Sequence, residues 1–216
     1  MTIYKIPKDL KTIIFDIDST LYTNNEYARE QVDIQIRHFA KLNNKTFEEA
    51  KNLITEYKNT WKKKHNGQNI SLGNTLQAFG VTIQESIRWR ENLLKPELFL
   101  SKDEKLRNVL LELKKNYKLI CVTNNPVLPG TKTLKALGID DLFEKVIGLD
   151  TCGVSKPHKK PFILGATITS TPIEKCISIG DRYDIDIALP LELGMGGILV
   201  QGVEDVYRLS KILEVS

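Results

Sequence analysis

Five short runs of apolar, mostly branched residues interrupt an otherwise mixed chain: TIIF at 12–15, KLICVT at 118–123, KVIGL at 145–149, KCISIG at 175–180 and GGILVQ at 196–201. Runs of this length with turn or polar residues behind them predict buried strands. From the second run onward they alternate with helix-period segments, PGTKTLKALG, KKPFILGATI and DIALPLELG. Such alternation predicts a parallel sheet with helical crossovers, so the fold class is α/β.

Between the first and second runs lie about a hundred residues in which the strand pattern disappears. Helix-period segments replace it: NNEYAREQVDIQIRHFAKL, TFEEAKNLITEYKNTWKKK, a shorter piece around SLGNTLQAF, and TIQESIRWRENLL. That is far too much chain for one crossover. The segment SKDEKLRNVLLELKKN just before the second run carries a leucine-rich face and a capping box from Ser101 to Glu104, which assigns it to the core. Residues 1–22 and 95–216 are therefore expected to form the core domain, and 23–94 an inserted helical domain.

Composition narrows the class without changing the fold. With 216 residues, 41% hydrophobic, the chain is long enough for a core domain with an insertion. A net charge of +4 from 31 basic and 27 acidic residues calls for neither a nucleic-acid polymer nor a membrane surface as partner, while small anions fit. No apolar run approaches the ~20 residues of a membrane span, and MTIYKIPKDLK lacks an apolar stretch of signal-peptide length, so the expected location is the cytoplasm. Cys121, Cys152 and Cys176 lack metal-type spacing and read as reduced packing thiols. His38, His65 and His158 have no acid or cysteine at ligand spacing, and Trp61 and Trp89 lie on helices of the insertion, where aromatic residues usually fill a core.

The candidate chemistry sits at the strand ends. In IIFDIDSTLY, Asp16 and Asp18 follow the first strand two residues apart, which puts both on one side, ~6.5 to 7 Å apart along the chain. In a parallel sheet, ligands bind outside the carboxyl ends of the strands. The second strand ends in Thr123, Asn124 and Asn125, a hydroxyl and two amides suited to phosphate oxygens. After the third comes Lys156, an ammonium able to offset phosphoryl charge. The fourth ends in GDRYDIDI, adding Asp181, Asp184 and Asp186, oxygen ligands that suit Mg²⁺. Each feature alone also reads as a turn, a solvated side chain or a helix start. Four of them in order at successive strand ends point to phosphoryl chemistry.

DIDST (16–20), VTNN (122–125), SKPHKKPF (155–162) and GDRYDID (180–186) resemble, in order, the four motifs of the haloacid dehalogenase-like hydrolase superfamily. The resemblance implies a Rossmann-like core, with Asp16 as nucleophile and Asp18 as general acid and base. It further implies Thr123 and Asn124 as phosphate binders and Lys156 as stabiliser of the nucleophile and the phosphoryl charge. Asp181 is then a ligand of Mg²⁺, Asp186 reaches the ion through water, Asp16 ligates it, and Asp18 does so through its backbone carbonyl. The helical insertion resembles a type 1 cap, which the family places over the site. Within the family, LKPELFLSKDEKLRNVLLELKK followed by VTNN and SKPH is similar to the pyrimidine 5'-nucleotidase branch.

The expected activity is Mg²⁺-dependent hydrolysis of a small phosphate ester through an aspartyl phosphate, with a nucleoside 5'-monophosphate as the expected substrate. The alternatives are a sugar-phosphate or phosphoglycolate phosphatase, a phosphomutase, a dehalogenase of the same superfamily, and a phospho-accepting signalling module. The sequence leaves the oligomeric state open.

Overall fold

A computed structural model describes residues 1–67 and 69–213; the last three residues of the expected core segment lie outside it. The chain divides into two compact units, Met1–Asn25 with Lys95–Ser216, and Glu26–Leu94.

The first unit is built on six strands: β1 (Thr2–Lys5), β2 (Thr12–Phe15), β3 (Lys118–Val122), β4 (Val146–Ile147), β5 (Cys176–Gly180) and β6 (Gly196–Leu199). Their order in the sheet is β1-β6-β5-β2-β3-β4. The five apolar runs are β2 to β6, and they pair in parallel throughout. All four residues of β2 and all five of β5 are buried, as expected of strands covered on both faces. Helices at Lys159–Ile168 and Val127–Leu137 form crossovers of this Rossmann-like sheet. Ile14, Ile120 and Ile147 from the sheet pack with Phe162 and Ala166 from the helix Lys159–Ile168. Phe162 is fully buried, and truncating such a ring costs ~3–5 kcal/mol.

Three local expectations need correction. The sheet is mixed, because β1 pairs antiparallel with β6. All four β1 residues are exposed, so TIYK carries no buried apolar stripe to betray a strand. The helix after Ser101 spans Glu104–Lys114 and is capped by Asp103, whose Oδ1 accepts from the Leu106 amide at 2.9 Å. Asp103 Oδ2 also accepts from Tyr207 Oη at 2.5 Å, a partner distant in sequence that Ser101 does not have. Third, the helix expected at DIALPLELG is preceded by a π-turn at Tyr183–Ile187 and is itself confined to Ala188–Glu192. Single π-turns recur where a side chain is re-aimed at a functional site.

The second unit holds helices at Asn25–Leu42, Phe47–Lys64, Leu72–Ala78 and Ile83–Leu93. Thr46 with Glu49 and Thr82 with Glu85 form reciprocal capping boxes that satisfy the first-turn amides of the second and fourth helices. Ile36, Phe39, Ala50, Ile54, Leu76 and Trp89 form its core. Trp89 meets His38 edge-on at 4.7 Å between ring centroids, and Trp61 stacks on His65 at 3.7 Å.

Candidate active site

The parallel register lines up the site. Phe15 at the end of β2 pairs with Cys121 of β3 and with Ile179 of β5. The ladder runs one step further, with the Asp16 amide donating to the Ile179 carbonyl at 2.9 Å and the Thr123 amide to the Ile147 carbonyl at 2.9 Å. Asp16, Thr123 and Asp181 therefore leave three strands at one edge of the sheet.

Lys156, on the segment before the helix Lys159–Ile168, joins them there. Its Nζ lies 2.6 Å from Asp16 Oδ1 and 2.7 Å from Asp186 Oδ1, with all three side chains buried. Asp186 Oδ2 accepts from the Arg182 amide at 3.1 Å, which fixes the carboxylate at the head of the π-turn. Its seat exists because residue 180 is glycine: a Cβ there would fall 2.4 Å from Asp186 Cβ. Asp184, on the same turn, is exposed.

Asp16, Asp181 and Asp186 each offer a carboxylate oxygen within 4.8 Å of the others, a group of three acids able to hold a metal ion. Three carboxylates against one contacting ammonium leave a surplus of negative charge in a buried place, and an oxygen-only donor set suits a hard divalent cation. The electrostatics carry the same sign. Burial drives the Asp16 carboxyl up to about 7, with Asp186 and Asp18 adding to the rise against the opposing pull of Lys156. Burial also raises Asp181, with Asp186 adding to it. Lys156 is pushed down by burial but further up by Asp16 and Asp186, so it stays an ammonium.

Asp18 lies outside that group of three and is held differently. Tyr22 Oη donates to Asp18 Oδ1 at 2.6 Å, Asn125 Nδ2 to Asp18 Oδ2 at 2.9 Å, and the Thr123 hydroxyl reaches the same Oδ2 at 3.5 Å. The Asn124 amide is turned to the chain: its Oδ1 accepts from the Lys156 backbone amide at 2.7 Å and its Nδ2 donates to the Lys156 carbonyl at 3.2 Å. Asn124 thus sets the backbone that carries the lysine. Of the residues around Asp18, Tyr22 is absent from the sequence-derived site, and Asn125, read there as a phosphate ligand, instead bonds the Asp18 carboxyl. Tyr22 had one usable signal, its place four residues after Asp18, a spacing that stacks side chains on one face wherever the chain makes a helical turn.

A family model described as haloacid dehalogenase-like hydrolase matches residues 10–193, a span that contains every residue of this site. The chain belongs to the haloacid dehalogenase-like hydrolase family. The expectation drawn from its four motifs is borne out at that level, and with it the reading of the chain as a hydrolytic enzyme. Among relatives of this haloacid dehalogenase-like protein, the glyceraldehyde 3-phosphate phosphatase of Methanocaldococcus jannaschii is 30% identical over 92% of this chain and 87% of its own. The pyrophosphatase PpaX of Listeria monocytogenes is 25% identical over 88% of this chain and 83% of its own. Among solved structures, a HAD phosphatase from Thermococcus onnurineus superimposes with a TM-score of 0.68 at 19% identity, covering 94% of this chain and 98% of that one, a likeness of fold. No helix of the described residues is long and apolar enough to cross a membrane.

Proposed function

We propose that this protein is a Mg²⁺-dependent phosphomonoesterase that works through a phosphorylated Asp16. The observation that carries the reading is the convergence of Asp16, Asp181 and Asp186 on one point, with Lys156 ion-paired to the first and last of them. Asp16, Asp181 and Asp186 would hold Mg²⁺, which would supply positive charge for the phosphoryl oxygens. Lys156 clamps Asp16 Oδ1 and orients the nucleophile. A carboxylate oxygen of Asp16 attacks phosphorus, the bond from phosphorus to the ester oxygen breaks, and Asp18 protonates the departing alkoxide. Asp18 then takes a proton from the water that cleaves the acyl phosphate, freeing inorganic phosphate and restoring Asp16. The Thr123 hydroxyl and the Lys156 ammonium bind phosphoryl oxygens in this scheme.

The substrate class proposed is a small soluble phosphate ester, with a three-carbon sugar phosphate ahead of a nucleotide. The Methanocaldococcus relative, a glyceraldehyde 3-phosphate phosphatase, supports the former. A nucleobase would call for an aromatic wall, and the two tryptophans of the helical unit are engaged elsewhere, Trp89 in its core and Trp61 on His65. Substrate selection is assigned to the helical unit, the cap of this proposal. Mg²⁺-dependent phosphate release from glyceraldehyde 3-phosphate, phosphoglycolate, pyrophosphate and nucleoside monophosphates tests the reading. A mutase would instead show turnover stimulated by a bisphosphorylated sugar with little phosphate released.

A further inference from the structure

The side chain of Asp18 is gripped at both oxygens by groups that the four motifs do not assign, and the grip is built from two separate parts of the fold. Tyr22 is reached by a helical turn in which the Thr20 and Leu21 amides both donate to the Ile17 carbonyl, at 3.3 and 3.0 Å. That turn brings residue 22 back over residue 18, and the tyrosine, 4% exposed, delivers its hydroxyl to Asp18 Oδ1 at 2.6 Å. Asn125 comes from the turn after β3. Its backbone amide donates to Thr123 Oγ1 at 3.1 Å, and its backbone carbonyl accepts from the Leu149 amide at 3.0 Å. The next helix is pinned beside it, since Asp150 Oδ1 accepts from the Val127 amide at 2.9 Å. Gly148 completes the fit: a Cβ there would lie 2.7 Å from the Asn125 carbonyl and 2.6 Å from the Val127 amide. A carboxyl held at one oxygen swings about its Cβ–Cγ bond. Held at both, its plane is fixed.

We infer that Tyr22 and Asn125 are positioning residues that fix the plane of the Asp18 carboxyl for proton transfer to the leaving oxygen, acting through Asp18 and making no contact with substrate. The inference rests on the phosphatase reading. Proton transfer in the transition state contributes ~10²- to 10⁴-fold, and displacement of a reacting group by about 1 Å costs up to ~10²-fold. Releasing one of two oxygens is therefore expected to cost ~10-fold in kcat where the leaving group needs a proton. A nitrophenolate leaves well without one.

Tyr22→Phe, which removes a single oxygen, and Asn125→Ala are compared with wild type on an alkyl phosphate, phenyl phosphate and 4-nitrophenyl phosphate, with thermal melts of each protein. The expected result is a kcat loss of ~10-fold on the alkyl ester and under ~3-fold on the nitrophenyl ester, with KM changed less than ~2-fold. Placing Tyr22→Phe in an Asp18→Asn background is expected to cost less than ~2-fold more on phenyl phosphate, because the group it acts through is gone. Equal losses across leaving groups, a full additional loss in the Asp18→Asn background, or undiminished alkyl turnover overturns the inference while leaving the phosphatase reading intact. A wild-type protein that releases phosphate from none of the three esters overturns that reading, and this inference falls with it.

Discussion

Lys156 Nζ sits 2.6 Å from Asp16 Oδ1 with both side chains at or below 5% exposure, yet burial leaves the Asp16 carboxyl at about 7. The lysine divides its charge between Asp16 and Asp186 and does not fully offset either. An ion pair short of positive charge is a poor stability element and a good cation trap.

Removing the lysine is expected to expose that shortage. Lys156→Met leaves Asp16 and Asp186 buried and uncompensated, a change that costs ~3–5 kcal/mol in buried pairs broken from one side. The loss is expected in metal-free protein at pH 8 and shrinks toward pH 5, where protonation of the Asp16 carboxyl removes part of the uncompensated charge. Urea melts at the two pH values check it. A variant equally destabilised at both would show that lost packing is responsible.

Metal binding is expected to be linked to protons. With Asp16 titrating near 7 in metal-free protein, a proton and Mg²⁺ compete for one carboxylate below that value. The sign follows: apparent Mg²⁺ affinity is flat well above pH 7 and weakens as pH falls through it, approaching ~10-fold per unit. Calorimetric titration from pH 5 to 8, in buffers of different ionisation enthalpy, reads both the affinity and the protons released. Affinity that does not change between pH 8 and 5.5 would refute the linkage.

Much of this site was legible as spacing along the chain, and the rest was not, for a physical reason. Asp16, Thr123 and Asp181 follow buried strands directly, and a parallel register leaves the residue after a strand little choice of place. The wider sheet was legible for the same reason, since β2 to β6 are apolar runs, whereas β1 is exposed and is defined by its pairing with β6. What the spacing could not show is which polar atoms meet. Asn124 and Asn125 are adjacent amides with the same chemistry, yet one bonds the Lys156 backbone and the other the Asp18 carboxyl. The choice between them depends on the turn geometry after β3, fixed by Gly148 and Asp150 more than twenty residues on. The start of the following helix at Val127, two residues before Pro129, rests on that Asp150 carboxylate as well.

The two acids are expected to fail differently when neutralised. Asp16→Asn removes the nucleophile, so turnover of every ester falls to background whatever the leaving group. Asp18→Asn keeps the nucleophile and loses proton transfer, so hydrolysis of 4-nitrophenyl phosphate is expected to survive better than that of an alkyl phosphate by ~10-fold or more. Steady-state rates on the two esters decide it, and equal losses for Asp18→Asn would remove that residue from the proton-transfer role.

The three thiols are expected to be silent in the native protein. Cys121, Cys152 and Cys176 are free and buried. Burial raises all three, Cys176 to about 11, so at pH 8 the nucleophilic thiolate is scarce at every one. A disulfide dye at pH 8 is expected to label none quickly in buffer and three per chain in denaturant. Fast native labelling of any of the three would contradict its packing role.

Gly180→Ala offers the sharpest separation of site geometry from site chemistry, because it adds one methyl and removes no functional group. That Cβ would lie 2.4 Å from Asp186 Cβ, 2.5 Å from its Cγ and 2.6 Å from its Oδ2, distances at which something must move. β5 is buried along its length and locked between β2 and β6, so the carboxylate at the head of the π-turn is expected to yield before the strand does. Displacing Asp186 withdraws one of the two anions from Lys156 and breaks its hydrogen bond to the Arg182 amide. Overpacking of this kind costs ~1–3 kcal/mol of stability. The expected signature is a folded protein whose Mg²⁺ affinity and kcat both fall by ~10-fold or more, with Asp16, Asp18 and Lys156 chemically untouched. Calorimetry, steady-state rates and a thermal melt on one preparation check it. Wild-type Mg²⁺ affinity and turnover in Gly180→Ala would mean that Asp186 is not needed in its present seat, and the three-acid metal site would lose its third member.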